Sequence, residues 1–217
     1  MLMMERVKLD QNKVKGRFIY HFFKRTLDIV ASACALIILS PLFLVLAILI
    51  KHEDGGPAFY SQERIGKDGK PFKMYKFRSM IVNADQMVDQ LEDQNEIDGA
   101  MFKIRDDPRI TKIGHTIRKY SLDELPQLWN VLIGDMSLVG PRPPLPSEVE
   151  EYTDYDKQRL LVMPGCTGLW QVTKRNEADF DEMVWLDIVY INHSGILEDL
   201  KLIIKTIGVV IHPNGAY

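Results

Sequence analysis

Two adjacent acidic residues, Asp123 and Glu124, are the strongest candidates for chemistry in this sequence of 217 residues. They lie between Ser121 and Pro126 in the run SLDELPQL. The spacing Ser-x-x-Glu is typical of a capping box, and proline is favoured at the first position of a helix, so both cues predict acids at a helix N-terminus. The free amides and the helix dipole favour negative charge there. The alternative is that the acids only cap the helix.

Four basic residues could bring positive charge to this acidic pair: Arg118, Arg142, Lys76 and Arg78. Arg142 lies in the run GPRPP, whose prolines restrict the backbone, so its side chain is presented with little freedom left to lose. One carboxylate can attack phosphorus or hold Mg²⁺, while arginine and lysine stabilise phosphate oxygens. The set therefore indicates phosphoryl chemistry. A group of surface ion pairs is the alternative.

An apolar run of 22 residues, at positions 29–50, contains no charged residue. About 20 apolar residues are enough to cross a membrane core of about 30 Å. Pro41 lies near the middle of the run, where it leaves the Ile37 carbonyl without a hydrogen bond and bends the helix. The hydroxyl of Ser40 can donate to the Leu36 carbonyl and favour the same bend.

A bent helix predicts a particular membrane topology. Its two arms are about 18 Å and 14 Å long, and neither can cross the membrane alone. Basic residues stand on both sides of the run, which favours both ends on the cytoplasmic face. We therefore expect a basic leader at 1–25, a re-entrant helix at 26–52 and a cytoplasmic catalytic domain at 53–217. A kinked spanning helix and a buried helix of a soluble protein are the alternatives.

The pattern after the apolar run predicts a small, helix-rich unit. The dipeptide Asp68-Gly69 between segments 58–64 and 71–77 predicts a β-hairpin. The acidic segment 83–98 predicts a solvated helix rather than a metal site. Segment 198–211 predicts a helix that lies on a membrane surface or packs on the domain. Further helices are predicted at 110–119, 126–132, 148–163 and 180–191, the last with an apolar stripe that belongs in a core.

The composition excludes several classes of protein. A formal net charge of −3 with 46% hydrophobic residues excludes a disordered chain and a strongly basic protein that coats nucleic acid, so no nucleic-acid partner is expected. Two cysteines exclude a disulfide scaffold. The motifs GxxxxGK[ST], GxGxxG and HExxH are absent from the sequence, and its five histidines have no ligand spacing.

Taken in order, the motifs of this chain resemble those of the bacterial sugar transferase family, the monotopic phosphoglycosyl transferases. The resemblance runs from about Lys24 to Ile207 and includes the segments KRTLD, SP, QERIG, KFRSM, DPRIT, LDELPQ and GDMSLVGPRP, then the stretch from Pro164 to Asn176. The resemblance predicts the minimal form of the family, in which only a basic leader is expected before the catalytic unit.

The resemblance implies an α/β, α-rich fold with a re-entrant helix bent at Ser40-Pro41, a β-hairpin and interfacial amphipathic helices, on the cytoplasmic face of the bacterial plasma membrane. It implies transfer of a sugar-1-phosphate from a UDP-sugar to undecaprenyl phosphate with release of UMP, which initiates exopolysaccharide or capsule assembly. Asp123 matches the nucleophile that carries the covalent phosphosugar, and Glu124 matches its partner. Mg²⁺ is implied as cofactor, with Asp123 as its protein ligand.

The same resemblance assigns substrate-binding roles to several basic and polar residues. Arg118 and Arg142 match positions near the phosphates, Arg175-Asn176 falls in a motif near the donor, and Lys76 and Arg78 are further candidates. A homodimer is possible by analogy. The usual family pattern is not followed at three positions, Lys174, Cys166 and His193. The sequence does not identify the sugar that is transferred.

Two competing hypotheses are kept. One is direct attack by the lipid phosphate, without a covalent intermediate, and the other is a membrane-anchored regulator of polysaccharide assembly.

Overall fold

The longest element of the computed structural model is an apolar helix, α2, that runs from Phe18 to Asp54. The structure describes residues 8–87, 104, 107–174 and 178–211. Within these residues α2 is long and apolar enough to cross a membrane by length and composition. It has 37 residues because polar residues at both ends of the apolar run continue the helix. A straight helix of this length would measure about 55 Å.

The helix continues through Pro41. The hydroxyl of Ser40 donates to the Ile37 carbonyl at 2.8 Å. This is the carbonyl that Pro41 leaves without an amide donor, so the serine replaces the hydrogen bond that the proline removes. The expected acceptor, Leu36, was therefore wrong by one residue.

The N-terminal half of α2 is bound to the rest of the domain by polar contacts. A short helix, α1 (Gln11–Lys15), precedes it. Lys24 forms an ion pair of 2.9 Å with buried Asp199, and Arg25 donates to two carbonyls at the C-terminal end of helix α4 (Gln127–Ile133). Buried Asp28 accepts hydrogen bonds from the Ser137 hydroxyl and the Leu138 amide.

The C-terminal half of α2 is bound to the same unit. Leu46 and Ile50 are buried against Phe77 and Ile117. Glu53 accepts from backbone amides at the start of helix α3 (Lys112–Lys119), and Asp54 accepts two hydrogen bonds of 2.5 Å from the Arg78 guanidinium. Between these two docked halves, α2 has no buried residue from position 33 to 45.

The predicted hairpin is confirmed. Strands β1 (Phe59–Ile65) and β2 (Pro71–Phe77) pair antiparallel, in a register that sets Phe59 opposite Phe77. Asp68 adopts a left-handed conformation (φ 56°) in the 3₁₀ turn that joins the strands, a conformation that aspartate tolerates better than most residues.

A second sheet was not expected. Strands β3 (Ser137–Val139) and β4 (Gly165–Thr167) pair in parallel. The chains cross closely here, because a Cβ on Gly165 would lie 2.0 Å from the Gly140 amide nitrogen. Strands of three residues are too short to show an alternating pattern.

Among the described residues four α-helices follow β3, and the last three of them contribute to the main hydrophobic core. These are α5 (Pro146–Glu150), α6 (Leu169–Thr173), α7 (Phe180–His193) and α8 (Ile196–Ile211). The apolar stripe of α7 is buried, as predicted, at Met183, Val184, Ile188 and Ile191. Helix α8 packs on the domain through Leu202 and leaves Leu197, Leu200, Ile204 and Ile207 exposed. The helix predicted at 148–163 was wrong: Asp156 accepts from the Thr153 amide and hydroxyl, which begins a separate 3₁₀ helix, Asp156–Leu161.

Over the described ranges the architecture is thus helix-rich, with two small sheets and one long apolar helix. Of the acidic segment 83–98, the structure describes only the start, a 3₁₀ turn at Ala84–Met87. The solvated helix predicted there otherwise lies outside the described residues.

Candidate active site

The acidic pair lies in a tight turn between two helices. Asp123 and Glu124 belong to a 3₁₀ turn, Leu122–Glu124, that connects α3 to α4. Ser121 adopts a left-handed conformation (φ 53°), and its side chain makes no capping hydrogen bond. The predicted capping box therefore does not form, and the two acids precede α4 instead of occupying its first turn.

Lys76 connects the hairpin to this turn. Its ammonium donates to Glu124 Oε1 at 2.7 Å, in a contact that is partly exposed. Burial by itself would raise the pKa of Glu124, but the charge and hydrogen bond of Lys76 outweigh it, and the net pKa of Glu124 is lowered. Glu124 is therefore ionised at neutral pH.

Asp123 has the opposite shift. Burial raises its pKa to about 6, and the nearby charge of Glu124 adds to this, whereas Lys76 and Arg118 oppose it. At pH 7 such a group is ionised in about ten molecules for each protonated one. Two neighbouring carboxylates thus differ in proton affinity, a division that is common at catalytic sites.

A pocket opens beside Glu124 and encloses about 340 Å³, counting the part open to solvent. Lys76 and Arg142, both predicted as phosphate-binding residues, contribute to its wall. Asp123 is not one of the residues that line it, although it directly precedes Glu124 in the same turn. Cys166, one of the family departures, also lines it, and burial raises the pKa of this thiol. Among the described residues the other lining side chains are Arg64, Met74, Gln127, Pro143 and Gln171, together with Gly165.

Arg142 forms an ion pair with a buried acid. Its guanidinium lies 3.4 Å from Glu148, a residue of α5 that is only 2% exposed. Glu148 also accepts the Leu145 amide at 2.9 Å, which fixes the carboxylate at the start of its own helix. Arg142 therefore has a counter-charge on its own loop and helix, which the proline pattern did not predict.

The structure places Arg118 and Arg78 differently from each other. Arg118, in the last turn of α3, lies close enough to Asp123 for its positive charge to oppose the rise in the pKa of that carboxyl. Arg78 does not line the pocket described above; it donates to Asp54 and to the Pro57 and Met80 carbonyls, so it fastens α2 to the hairpin. Arg175 and Asn176 lie outside the described residues.

Arg64 is a pocket residue that the search for chemistry missed. It lies on β1, within the QERIG segment, and lines the pocket. Burial and the positive charge of Arg142 lower the pKa of Arg64 to about 10, so it stays positively charged at neutral pH. The family motif was the signal that could have drawn attention to it.

The donor set suits Mg²⁺ bound together with a ligand. No cluster of three or more acidic, histidine or cysteine side chains occurs within the described ranges. Mg²⁺ is commonly held by one or two carboxylates plus substrate phosphates, and Asp123 and Glu124 supply two carboxylates beside a cationic pocket. The residues present therefore fit the ion only when phosphates complete its ligands.

Comparisons with known proteins identify the family of this chain. The family model described as bacterial sugar transferase matches residues 19–213. Similar curated proteins include "Galactosyl transferase CpsE" of Streptococcus agalactiae, 52% identical over 89% of this chain and 43% of the relative. "Undecaprenyl-phosphate galactose phosphotransferase" of Salmonella typhimurium is 46% identical over the whole chain and 45% of the relative. "UDP-galactose-lipid carrier transferase" of Erwinia amylovora is 44% identical, over 90% and 42% respectively. The chain spans less than half the length of these three relatives.

Proposed function

Because the chain belongs to the bacterial sugar transferase family, we propose that it transfers a sugar-1-phosphate from a UDP-sugar to undecaprenyl phosphate and releases UMP. The observation that carries the proposal is the pair Asp123-Glu124, held in a turn beside Lys76 and a pocket lined by two arginines. Two of the relatives compared are named for galactose and one for UDP-galactose, so UDP-galactose is the first donor to test.

The proposed reaction has two displacements at one phosphorus atom. An ionised oxygen of Asp123 attacks the β-phosphorus of the donor, the bond from that phosphorus to the bridging oxygen breaks, and UMP leaves with the electron pair. A phosphate oxygen of undecaprenyl phosphate then attacks the same phosphorus, and the Asp123 carboxylate leaves unchanged. The product is the sugar joined to the lipid through a diphosphate.

The chain's own side chains support each displacement. Lys76 keeps Glu124 ionised and adds positive charge next to Asp123. Arg142 and Arg118 provide guanidiniums whose geometry suits phosphate oxygens. Asp123 would hold Mg²⁺ together with the donor phosphates, and the ion when bound would neutralise diphosphate charge.

The contacts of α2 support a re-entrant, monotopic arrangement on one face of the membrane. Lys24 and Asp28 bind the catalytic unit at one end, and Glu53 and Asp54 bind it at the other. Only the 13 residues at 33–45 lie between the buried positions of the two halves, a length of about 20 Å. This is shorter than the membrane core of about 30 Å, so both ends are expected on the cytoplasmic face.

The test is a comparison of Asp123→Asn with Asp154→Asn in the purified full chain. Asp154 is exposed and far in sequence from the turn, so its variant is the matched control. With UDP-galactose and undecaprenyl phosphate, Asp123→Asn should lower UMP release by roughly a thousandfold or more, since removal of a nucleophile is among the costliest active-site changes. Ordinary turnover by this variant would overturn the assignment.

Donor given alone separates the covalent route from direct attack by the lipid. Intact-protein mass spectrometry should find a phosphosugar adduct on the wild-type chain and on Asp154→Asn, and none on Asp123→Asn. If wild-type protein turns over with lipid but never carries an adduct, direct attack is the mechanism. UDP-glucose and UDP-N-acetylgalactosamine in parallel reactions define the sugar preference.

A further inference from the structure

Arg64 is a buried cation with one hydrogen-bond donor that has no partner. The residue is only 7% exposed. One terminal nitrogen donates to the Pro143 carbonyl at 3.2 Å and the other to Gln62 Oε1 at 2.8 Å. Its Nε–H is buried without a hydrogen-bond partner in the structure. Buried polar groups nearly always have a partner, so this donor can bind a group that the described residues do not supply.

The charge around Arg64 indicates the sign of that group. Arg64 and Arg142 line the same pocket and repel each other. The described side chains that line the pocket include three cations and one carboxylate, and that carboxylate, Glu124, is already paired with Lys76. Glu148 offsets part of the charge from behind Arg142. Two guanidiniums that line one pocket with this little negative charge favour an anion between them.

The backbone keeps the two arginines in a fixed relation. Arg64 comes from the hairpin and Arg142 from the loop after β3. The Pro143 carbonyl accepts from Arg64, and the Pro144 carbonyl accepts the Ile65 amide at 2.9 Å. The hairpin and the loop are therefore tied at successive residues beside the arginines. A rigid pair of guanidiniums has little freedom left to lose on binding.

We propose that Arg64 is a binding residue for the phosphate groups of a nucleoside diphosphate and that, with Arg142, it forms a clamp across the pocket. Two planar donor forks match an anion with two linked phosphates better than a single phosphate. The identity of the ligand rests on the proposed function. The anion clamp itself rests on the buried donor and on the two adjacent cations.

The test measures binding rather than turnover. Titration calorimetry on the full chain in detergent micelles compares UDP with uridine for the wild type, Arg64→Gln and Lys73→Gln. Lys73 is an exposed lysine on the same hairpin and does not line the pocket, so its variant makes the same change of charge elsewhere. Arg64→Gln should weaken UDP binding by about ten- to a hundredfold, the usual range for charged hydrogen bonds, and leave uridine binding unchanged.

Other outcomes contradict the clamp in separate ways. Equal UDP affinity in Arg64→Gln and the wild type would overturn it, and an equal loss for UDP and uridine would mean that Arg64 only shapes the pocket. If Arg64→Gln does not fold, Arg64→Lys decides, because it keeps the charge but loses the fork; wild-type UDP affinity in that variant would overturn the proposal. A wild-type chain that binds UDP through Arg64 but never releases UMP from a UDP-sugar would retain the clamp and refute the proposed function.

Discussion

The candidate site sets two adjacent carboxylates to different proton affinities. Lys76 lowers the pKa of Glu124, whereas burial raises that of Asp123 to about 6. The residue proposed as nucleophile is therefore the one whose charge changes within an accessible pH range. The hydrogen-bonded partner keeps its charge throughout that range.

This difference predicts an acid limb in the pH profile. Asp123 can attack only when it is ionised, so the activity should be full above pH 7 and fall about tenfold per unit below pH 6. The measurement is kcat/KM for UMP release between pH 5 and 8, because that ratio reports groups of the free enzyme. A profile that stays flat down to pH 5 would show that Asp123 is not the titrating nucleophile.

Glu148 is predicted to position Arg142. Glu148→Gln keeps the shape of the side chain but removes the counter-charge that holds the guanidinium, so KM for the UDP-sugar should rise by about tenfold with a smaller change in kcat. Glu150→Gln, an exposed position on the same short helix, should leave both constants unchanged. A loss of kcat alone, or equal effects in both variants, would contradict a positioning role.

Sequence reasoning found the residues of this site unevenly. The acidic pair, Lys76 and Arg142 were identified from local charge and proline patterns, which do not depend on tertiary structure. Arg64 was missed because a charged residue on a hairpin strand has no local signature of burial. Arg78 follows the same hairpin, but only the folded chain shows that Asp54, 24 residues away, occupies its guanidinium.

At the scale of the elements, the position of α3 depends on one glycine. A Cβ on Gly114 would lie 2.0 Å from the Ser79 carbonyl oxygen, a backbone atom that cannot move aside alone. This helix carries Arg118 in its last turn and leads directly into the turn with Asp123 and Glu124. The close approach of the two backbones therefore sets where the acids lie.

Gly114→Ala should destabilise the domain by roughly 1–3 kcal/mol, the usual cost of overpacking. Gly208→Ala is the matched control, because no atom lies within 4 Å of a Cβ there. In the last turn of α8 this change should stabilise slightly, by less than about 1 kcal/mol. Thermal unfolding in detergent compares them, and an unchanged midpoint for Gly114→Ala would mean that α3 can shift freely.

The elements were predictable where a pattern extends over several turns or residues. The hairpin and helices α3, α4, α7 and α8 were found within a few residues of their observed bounds. The capping box failed because Ser121 adopts a left-handed conformation, which depends on packing rather than on spacing. The parallel pair β3–β4 joins segments that are far apart in the chain, so no local window contains its signal.

At the scale of the whole molecule, basic residues that precede the apolar run have structural roles. Lys24 pairs with Asp199, Arg25 caps α4, and Arg17 donates to Ser194. They were first interpreted as a signal of membrane orientation. Their internal contacts place them against the catalytic unit, which supports the same topology on independent grounds.

This arrangement predicts the same exposure for both flanks of α2. Single cysteines at Lys15 and at Lys70, in a background with Cys34→Ser and Cys166→Ser, should both resist a membrane-impermeant maleimide in intact cells. Both should react in inverted vesicles, because each position is exposed and the proposed topology puts both on the cytoplasmic side. Labelling of position 15 from outside the cell, with position 70 still protected, would mean that the helix spans the membrane.

The ion pair between Lys24 and Asp199 joins α2 to α8, across 175 residues of the chain. During translation α2 leaves the ribosome long before Asp199, the residue that pairs with Lys24, has been synthesised. Until α8 emerges, α2 must therefore be held in lipid or by a targeting factor. The N-terminal half of α2 can therefore form this ion pair only after α8 has been synthesised. A chain released before α8 is made would have the apolar helix without its ion pair to Asp199.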